Sequence, residues 1–182
     1  MQAAVRRLTR TVNLLLETTR LEEGQLQLQR EWCEAHELVA EAIQLSDLHE
    51  HAASTLFSEK MPHILCDVPL LAQALSFMIG NAAQHSPPNG TVEIAGHTDQ
   101  DAVLLEVRDR GHGFVEGEEY RIFDKFYRGP GSAPGGLGLG LSIAKQLVEA
   151  HGGLVGARNR EDGGAIVWIR IPVKSAPDLT EL

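Results

Sequence analysis

The first part of the chain repeats apolar positions with a helical period. One stripe of positions recurs every three or four residues, with charged residues in the intervals, and consists of Val5, Leu8, Val12, Leu15 and Thr19. This spacing predicts an amphipathic helix that ends near Gly24 and has a seam like that of a coiled coil. A single short helix is marginal in water, so the stripe needs a partner helix. We therefore expect it to be one half of a longer helical unit.

Beyond about residue 31, helical periods alternate with runs typical of strands. Helices are predicted over about 37–53, from the N-cap Asp67 to about 86, and over about 138–151 before a Gly-Gly pair. Alternating apolar residues predict strands over about 55–58, 92–94, 103–107, 154–158 and 165–171, with a loop-rich stretch over 110–137. These interleaved elements predict an α/β sandwich with the helices on one face of the sheet.

Composition excludes several function classes. The 182 residues are 43% hydrophobic and 23% charged, which is typical of a soluble globular domain. The formal net charge of −9 argues against a general binder of phosphate backbones, and we expect no nucleic-acid partner. No run approaches the roughly 18 apolar residues of a membrane span. Two cysteines, Cys33 and Cys66, cannot form a disulfide framework, so we expect small core or surface thiols in a reducing compartment.

A carboxylate at the end of a predicted strand is the first candidate for chemistry. Alternation places Asp109 on the same apolar face as Val103, Leu105 and Val107. A carboxylate there is costly unless it is hydrogen-bonded. The glycines of the following Arg110-Gly111-His112-Gly113 would let the backbone approach a ligand closely. A ligand amino group could satisfy Asp109; alternatively, Asp109 caps a turn through its own backbone.

A glycine-rich run precedes the last predicted helix and reads Gly135-Gly136-Leu137-Gly138-Leu139-Gly140-Leu141-Ser142. Free amides at a helix N-terminus bind anions, and polyphosphate is the natural candidate. The spacing excludes a P-loop, because no lysine follows the glycines. It also excludes a dinucleotide fingerprint, because Leu141 stands where glycine is needed. The alternative, a flexible linker, is weakened by the leucines that alternate with the glycines.

Asn81 is a candidate metal ligand. It lies one helical turn from Phe77 and His85, beside the apolar stripe of its helix. Its side-chain carbonyl oxygen would suit Mg²⁺, which takes waters and phosphate oxygens as its other ligands. An isolated asparagine on a helix is also compatible with ordinary polar surface.

Four motifs of the chain resemble, in the order in which they occur, the N, G1, F and G2 boxes of an ATP-binding domain. The domain that they resemble is the ATP-binding domain of sensor histidine kinases, in the GHKL (Bergerat-type) superfamily. The resemblance covers about residues 32–172, and its motifs are Asn81-x-x-x-x-Ser86, Asp109-x-Gly111-x-Gly113, Phe123-Asp124-Lys125-Phe126-Tyr127-Arg128 and Gly136-Leu137-Gly138-Leu139-Gly140-Leu141. A finer resemblance to the KdpD-type potassium-responsive sensor kinases comes from Trp32, Ile122-Phe123-Asp124-Lys125-Phe126 and His151-Gly152-Gly153 followed by Asn159-Arg160.

The resemblance implies a site for ATP and Mg²⁺. Asp109 would accept a hydrogen bond from the adenine amino group, Asn81 would coordinate Mg²⁺, and Arg128 would meet the γ-phosphate. Gly113 would let the purine lie against the backbone. Phe123 and Phe126 would couple the position of a mobile ATP lid to the domain body. The lid and its hinge would contain Gly136, Gly138 and Gly140, and the other implied nucleotide-binding residues are His85, Gly111, Lys125, Leu137, Leu139 and Leu141.

The resemblance also implies how the chain is organised. Residues 1–30 would be the remnant second helix of a dimerisation and phosphoacceptor hairpin. Residues 31–172 would form a two-layer GHKL sandwich with a mixed sheet, and 173–182 a polar tail. The full-length kinase would be a homodimer and would signal through a response regulator. This chain would be a cytoplasmic domain of a membrane-anchored bacterial protein.

The chain departs from the family pattern near Asn81. The family commonly has Asn or Glu four residues before it, where this chain has Phe77, and Lys or Arg three residues after it, where this chain has Gln84. Loss of a phosphate-directed cation should weaken nucleotide binding or slow transfer. His85 could supply some positive charge below about pH 6.5. Gly80 also replaces a better helix former.

The phosphoacceptor histidine is missing. No histidine precedes His36, and although His36-Glu37-Leu38 resembles the start of the acceptor motif, it continues differently. We expect His36 to lie on the surface or at a helix N-terminus, and His49-Glu50-His51 to lie on a solvated helix face rather than at a zinc site. The fragment should not phosphorylate itself.

The sequence thus predicts a protein-histidine kinase module that transfers the ATP γ-phosphoryl group to a histidine on a separate segment. The first alternative is a degenerate nucleotide-binding or docking module without phosphotransfer. A second is a GHKL relative that phosphorylates a protein serine, against which the N-terminal half-hairpin argues.

Overall fold

The computed structural model of the protein describes residues 27–48, 50–129 and 137–173. The predicted helix that ends near Gly24, His49, Gly136 and the tail beyond residue 173 lie outside these residues. The described residues form seven strands and four helices. The strands are β1 (Glu31–Cys33), β2 (Ala52–Phe57), β3 (Ile64–Cys66), β4 (Thr91–Asp99), β5 (Ala102–Arg108), β6 (Leu154–Asn159) and β7 (Ala165–Pro172). The helices are α1 (Ala35–Leu45), α2 (Val68–His85), α3 (Glu118–Arg121) and α4 (Gly140–Ala150).

Five strands form one mixed sheet in the order β2-β4-β5-β7-β6. β2 runs parallel to β4, and the remaining neighbours are antiparallel. β1 and β3 form a separate antiparallel pair. This arrangement confirms the predicted α/β sandwich with a mixed sheet. Among the described helices, none is long and apolar enough to cross a membrane.

The core lies between one face of the sheet and helices α1, α2 and α4. Alternate residues of β5 and β7 face the helices, as the period of two predicts. The buried side chains at this interface include Val103, Leu105, Val107, Val167, Ile169, Leu71, Leu75, Met78, Ile143 and Leu147. The two cysteines are also buried as free thiols, with the Sγ atoms of Cys33 and Cys66 3.4 Å apart.

Helix α2 begins where the sequence predicts. The Asp67 side chain accepts a hydrogen bond from the Leu70 amide at 3.3 Å, and a proline lies in the first turn. The helix ends at His85, and the Ser86 amide donates to the carbonyls of Ala82 and Ala83. Asn81, Gln84 and His85 lie in the last turns of this helix. The caps that set the helix ends therefore also set the positions of these three side chains.

The first predicted helix is too long. It ends at Leu45 instead of about residue 53, because the Ser46 amide and hydroxyl both donate to the Ile43 carbonyl. Ala52 and Ala53 belong to β2, where pairing with β4 outweighs their helical preference. His51 therefore lies just before a strand and contacts the carbonyls of Leu48 and Pro87, not on the helix face that we expected.

Other differences are small. β1, β3 and α3 have only three or four residues each, too few to show a period. Helix α4 begins at Gly140 rather than Gly138, because Gly138 has a positive φ of 67°. His36 lies in the first turn of α1 with its ring exposed, 3.0 Å from a Glu34 oxygen, which confirms its expected surface position.

His151 joins the C-terminus of α4 to the N-terminus of α2. Its Nε2 accepts a hydrogen bond from the Asp67 amide at 3.1 Å, so Nδ1 carries the proton and donates to the Leu147 carbonyl at 2.6 Å. The ring is buried and neutral in this arrangement. A second proton on Nε2 would break the hydrogen bond to Asp67.

Acid should therefore destabilise the fold. Burial lowers the pKa of His151 below its ordinary value. Between that lowered pKa and about pH 6.5, the unfolded chain binds a proton that the folded chain does not. We expect the free energy of unfolding to be highest above pH 6.5 and to fall as the pH decreases through this window, as measured by urea unfolding.

His85 has a pKa that burial also lowers, so it contributes with the same sign. The variants His151→Gln and His85→Gln should each remove part of the pH dependence. An unchanged slope in His151→Gln would contradict the role given to its ring.

A second prediction concerns Gly80 in the middle of α2. Apart from its chain neighbours and its own helix backbone, a Cβ at this position would have no described atom within 4 Å. Gly80→Ala should raise the free energy of unfolding by about 0.5–1 kcal/mol, because alanine favours the helix. Gly164→Ala is the control, since a Cβ there would lie 2.2 Å from the Asp109 carbonyl oxygen and should destabilise the fold. A loss of stability in Gly80→Ala would count against this account.

Candidate functional site

A cleft lies where the end of α2, the end of β5, the turn after α3 and the start of α4 meet. Seven residues of its lining are among the site residues predicted from the sequence, namely Asn81, His85, Asp109, Gly113, Arg128, Gly138 and Leu141. The other described lining residues are Gln84, His112, Phe114, Glu118, Ile122, Tyr127, Gly129 and Ala165. Motifs far apart in the sequence are thus brought together. The cleft is the candidate site.

Asp109 lies at the base of the cleft and is 3% exposed. Its Oδ1 accepts hydrogen bonds from the amides of Gly111 at 2.8 Å and Ala165 at 3.0 Å. The turn cap that the sequence left open is therefore present. Within the described part of the chain, Oδ2 accepts no hydrogen bond, so a donor in the cleft can still bind the same carboxylate.

Gly111 and Gly113 have separate reasons to be glycine. A Cβ at Gly111 would lie 2.4 Å from the His85 carbonyl oxygen, where the loop passes over the end of α2. Gly113 has a φ of +74°, and a Cβ there would lie 2.6 Å from Asn159 Oδ1. The Asn159 amide holds the next residue, accepting from the Phe114 amide at 2.6 Å and donating to its carbonyl at 2.9 Å. The loop after β5 is thus fixed by β6.

The start of α4 presents free amides to the cleft. The first hydrogen bond within the helix runs from the Ile143 amide to the Leu139 carbonyl, so the amides of Gly140, Leu141 and Ser142 precede the helical ladder. Gly138 and Leu141 line the cleft, so the positive end of the helix dipole lies at its wall. This local structure suits an anion.

The F and G2 motifs touch through their backbones. The Phe126 amide donates to the Gly138 carbonyl at 2.9 Å, and a Cβ at Gly138 would lie 2.5 Å from the Tyr127 carbonyl oxygen. Phe123 is buried in the core, but the Phe126 ring is 67% exposed. The contact that Phe126 makes with Gly138 is therefore a main-chain contact, and the coupling of the lid to the domain body through Phe126 stays a prediction.

The remaining predicted residues that the structure describes lie outside the cleft lining. Leu139 packs in the core, while Lys125 and Leu137 are exposed outside the lining. Gly140 faces Phe77, since a Cβ there would lie 3.4 Å from the ring. Gly111 contacts Asp109 through its amide, which donates to Oδ1.

The comparison with known families decides what kind of cleft this is. The model of the histidine kinase-, DNA gyrase B- and HSP90-like ATPases matches residues 66–175, which include every element of the cleft. The chain belongs to this ATPase family.

Relatives within the family are sensor kinases. The chain is 36% identical over 175 residues to the sensor protein KdpD of Escherichia coli K12, covering 95% of this chain and 20% of that protein. It is 33% identical over 170 residues to KdpD of Clostridium acetobutylicum, covering 91% of this chain and 19% of that protein. The chain thus spans about a fifth of the length of these relatives. The expected similarity to the KdpD-type kinases is confirmed.

Solved structures agree with the fold. Full-length ShkA in complex with AMPPNP superimposes with a TM-score of 0.79 at 29% identity, covering 93% of this chain and 36% of that one. The mycobacterial sensor histidine kinase MprB gives 0.67 at 25% identity, covering 79% of this chain and 97% of that one. The expected GHKL fold is confirmed.

Two features of this ATPase domain change the electrostatics expected from sequence. Burial and the neighbouring His112 ring, 5.6 Å away between centroids, lower the pKa of His85. The positive charge expected from His85 near pH 6.5 therefore needs a more acidic solution. Phe77 meanwhile packs on the start of α4, so an apolar contact occupies the place where the family pattern has a polar side chain.

Glu118 is a cleft residue that no motif in the sequence indicates. This carboxylate lines the cleft and is only 9% exposed. It lies in the acidic run Glu116-Gly117-Glu118-Glu119, where no periodicity distinguishes the buried member. In the sequence, Asn159 stands out only through the family resemblance, and its hydrogen bonds with Phe114 give it a physical role.

The contact between Gly113 and Asn159 leads to a prediction. Gly113→Ala should lose more free energy of unfolding than Gly117→Ala. Both residues have a positive φ, but a Cβ at Gly117 would have no described atom within 4 Å beyond its chain neighbours. The excess should be about 1–3 kcal/mol, the value of the two hydrogen bonds between Asn159 and Phe114, measured by urea unfolding.

A double-mutant cycle checks the cause. In an Asn159→Ala background, the excess loss from Gly113→Ala should shrink. Equal losses for Gly113→Ala and Gly117→Ala would show that the Asn159 contact is not responsible.

Proposed function

We propose that this domain binds ATP with Mg²⁺ in the cleft and transfers the γ-phosphoryl group to a histidine that lies outside it. The observation that carries the proposal is the unequal use of the two Asp109 oxygens. Oδ1 accepts hydrogen bonds from two backbone amides, and Oδ2 remains for a ligand. An exocyclic amino group of a purine is a donor of the right kind. In a buried site this hydrogen bond is charge-assisted and therefore strong.

The phosphates would lie towards the start of α4. Free amides there favour negative charge, and Arg128 is the only lysine or arginine among the described residues that line the cleft. Arg128 would meet the γ-phosphate. Gly138 and Leu141 would let the polyphosphate approach the main chain. Gly136, which the family pattern places in the same lid, would act with them.

Asn81 would hold the metal ion. Within the described part of the chain its side-chain amide makes no hydrogen bond, and it lines the cleft. One amide oxygen suits Mg²⁺, which keeps several waters and takes phosphate oxygens as ligands. The bound ion would neutralise charge on the phosphates.

Transfer would depend mainly on positioning. The acceptor imidazole nitrogen would attack the γ-phosphorus as the bond to the β–γ bridging oxygen breaks, and ADP would leave. Arg128 and the α4 amides would stabilise the charge that develops. The acceptor histidine would lie on a dimerisation helix of the same kinase, in a homodimer, and a response regulator would take the phosphoryl group next. The catalytic domain would be cytoplasmic and belong to a membrane-anchored bacterial protein.

A second candidate is a docking module that holds nucleotide without transferring phosphate. Phe77 and the neutral Gln84 favour it, because both replace polar or cationic side chains of the family pattern next to Asn81.

Nucleotide binding tests the proposal first. Calorimetry should show saturable binding of ATP and ADP, strengthened for ATP by Mg²⁺. Asp109→Asn should lower the affinity for both nucleotides by about 10- to 100-fold. If the asparagine oxygen accepts from the two backbone amides, its NH₂ group faces the purine amino group, and two donors then meet. Asp101→Asn is the matched control, since this aspartate is 80% exposed at the opposite end of β5.

Transfer is then measured with an added acceptor fragment and labelled ATP. An acid-labile phosphoryl group on its histidine is expected. Binding without transfer at saturating ATP would favour the docking module, and no binding by the folded wild type would refute both nucleotide-dependent functions.

A further inference from the structure

Glu118 contacts both chain neighbours of Arg128. Its Oε1 accepts a hydrogen bond from the Tyr127 hydroxyl at 2.9 Å, and a Cβ at Gly129 would lie 3.0 Å from the same oxygen. The residue between these two contacts is the cleft-lining arginine. One buried carboxylate thus lies against the residues on both sides of Arg128.

The carboxylate is itself fixed. Its Oε2 accepts from the Val115 amide at 2.9 Å, and the Glu118 amide donates to the Val115 carbonyl at 2.9 Å. Gly117, with a φ of +86°, makes the turn that closes this pair. Both carboxylate oxygens are therefore used, and the side chain has little freedom to follow a moving partner.

Tyr127 is held on its other side as well. The Arg121 guanidinium lies 4.6 Å from the centre of its ring, a cation–π arrangement. The Tyr127 carbonyl meanwhile lies against Gly138 at the entrance to α4. Glu118, through Tyr127, therefore links α3 to the two features that would receive phosphate, Arg128 and the start of α4.

We propose that Glu118 and the Tyr127 hydroxyl are positioning residues that hold Arg128 for the γ-phosphate. This inference rests on the proposed function of the cleft. A carboxylate that lines a phosphate site repels the anion, so a role in charge recognition is not expected of Glu118. Its two oxygens instead accept from the Val115 amide and the Tyr127 hydroxyl, and these hydrogen bonds act on the segment that carries Arg128.

The test compares ATP with ADP. Tyr127→Phe removes only the hydroxyl, and Glu118→Gln keeps the size of the side chain. Each variant should lower the affinity for ATP by about threefold to tenfold, which is the contribution of one hydrogen bond. The affinity for ADP should change little. If Glu118 and Tyr127 had only a structural role, the variants would lower the affinities for ATP and ADP equally, because the adenine site would also be disturbed.

Matched controls lie on the same helix. Tyr120→Phe and Glu119→Gln should leave the ratio of ATP to ADP affinity unchanged, since the Tyr120 side chain is 79% exposed and neither residue lines the cleft. The double variant Glu118→Gln/Tyr127→Phe should lose little more than either single variant, because both remove the same charge-assisted hydrogen bond from the Tyr127 hydroxyl to the carboxylate.

Arg128→Ala separates the two levels of the argument. If it leaves the ratio of ATP to ADP affinity unchanged, the proposed role of Arg128 at the γ-phosphate fails. If Arg128→Ala lowers the ratio but Tyr127→Phe and Glu118→Gln do not, the positioning role is overturned and the proposed function stands.

Discussion

The buried carboxylate of Asp109 is the contact on which the site depends. A charge at the end of a central strand is costly, and two amides offset the cost by donating to one oxygen. Those amides belong to Gly111 and Ala165, so the carboxylate turns the chain back after β5 and ties it to the first residue of β7. The same group leaves its second oxygen to the cleft. One side chain therefore stabilises the fold and carries the acceptor oxygen of the proposed ligand site.

Close approach of main chains around Asp109 explains the glycines better than flexibility does. Gly111 lies against the His85 carbonyl, and Gly164 lies against the Asp109 carbonyl, in both cases at a distance that excludes a side chain. Three segments can close on one carboxylate only because these positions carry no Cβ. Gly113 differs, since its space is filled by Asn159, which holds the loop from a neighbouring strand. The walls of the cleft thus consist of closely packed main chain.

How much the sequence could predict follows from the range of each interaction. The burial of Asp109, the start of α2 at Asp67 and the mixed sandwich follow from local patterns of alternation, capping and spacing, and the structure agrees with them. The end of α1 does not, because β2 pairs with a strand about 40 residues away. Glu118 could not be distinguished from its acidic neighbours, since its burial depends on Tyr127 and Val115. The buried contact between Cys33 and Cys66 is likewise set by strand pairing. Contacts across the fold, rather than residue types, decide these cases.

The electrostatics of the cleft place an unusual demand on Arg128. Gln84 is neutral, burial lowers the pKa of His85, and Phe77 makes an apolar contact with the start of α4. Apart from the Mg²⁺ that Asn81 would hold, a polyanion in the described cleft would therefore meet one guanidinium and the dipole of one helix. When the described lining supplies a single cationic side chain, its position matters more than it would within a cluster, because no neighbouring lysine or arginine of that lining can compensate for a displacement. A rigid carboxylate that contacts both residues flanking Arg128 is the kind of support that such a site requires.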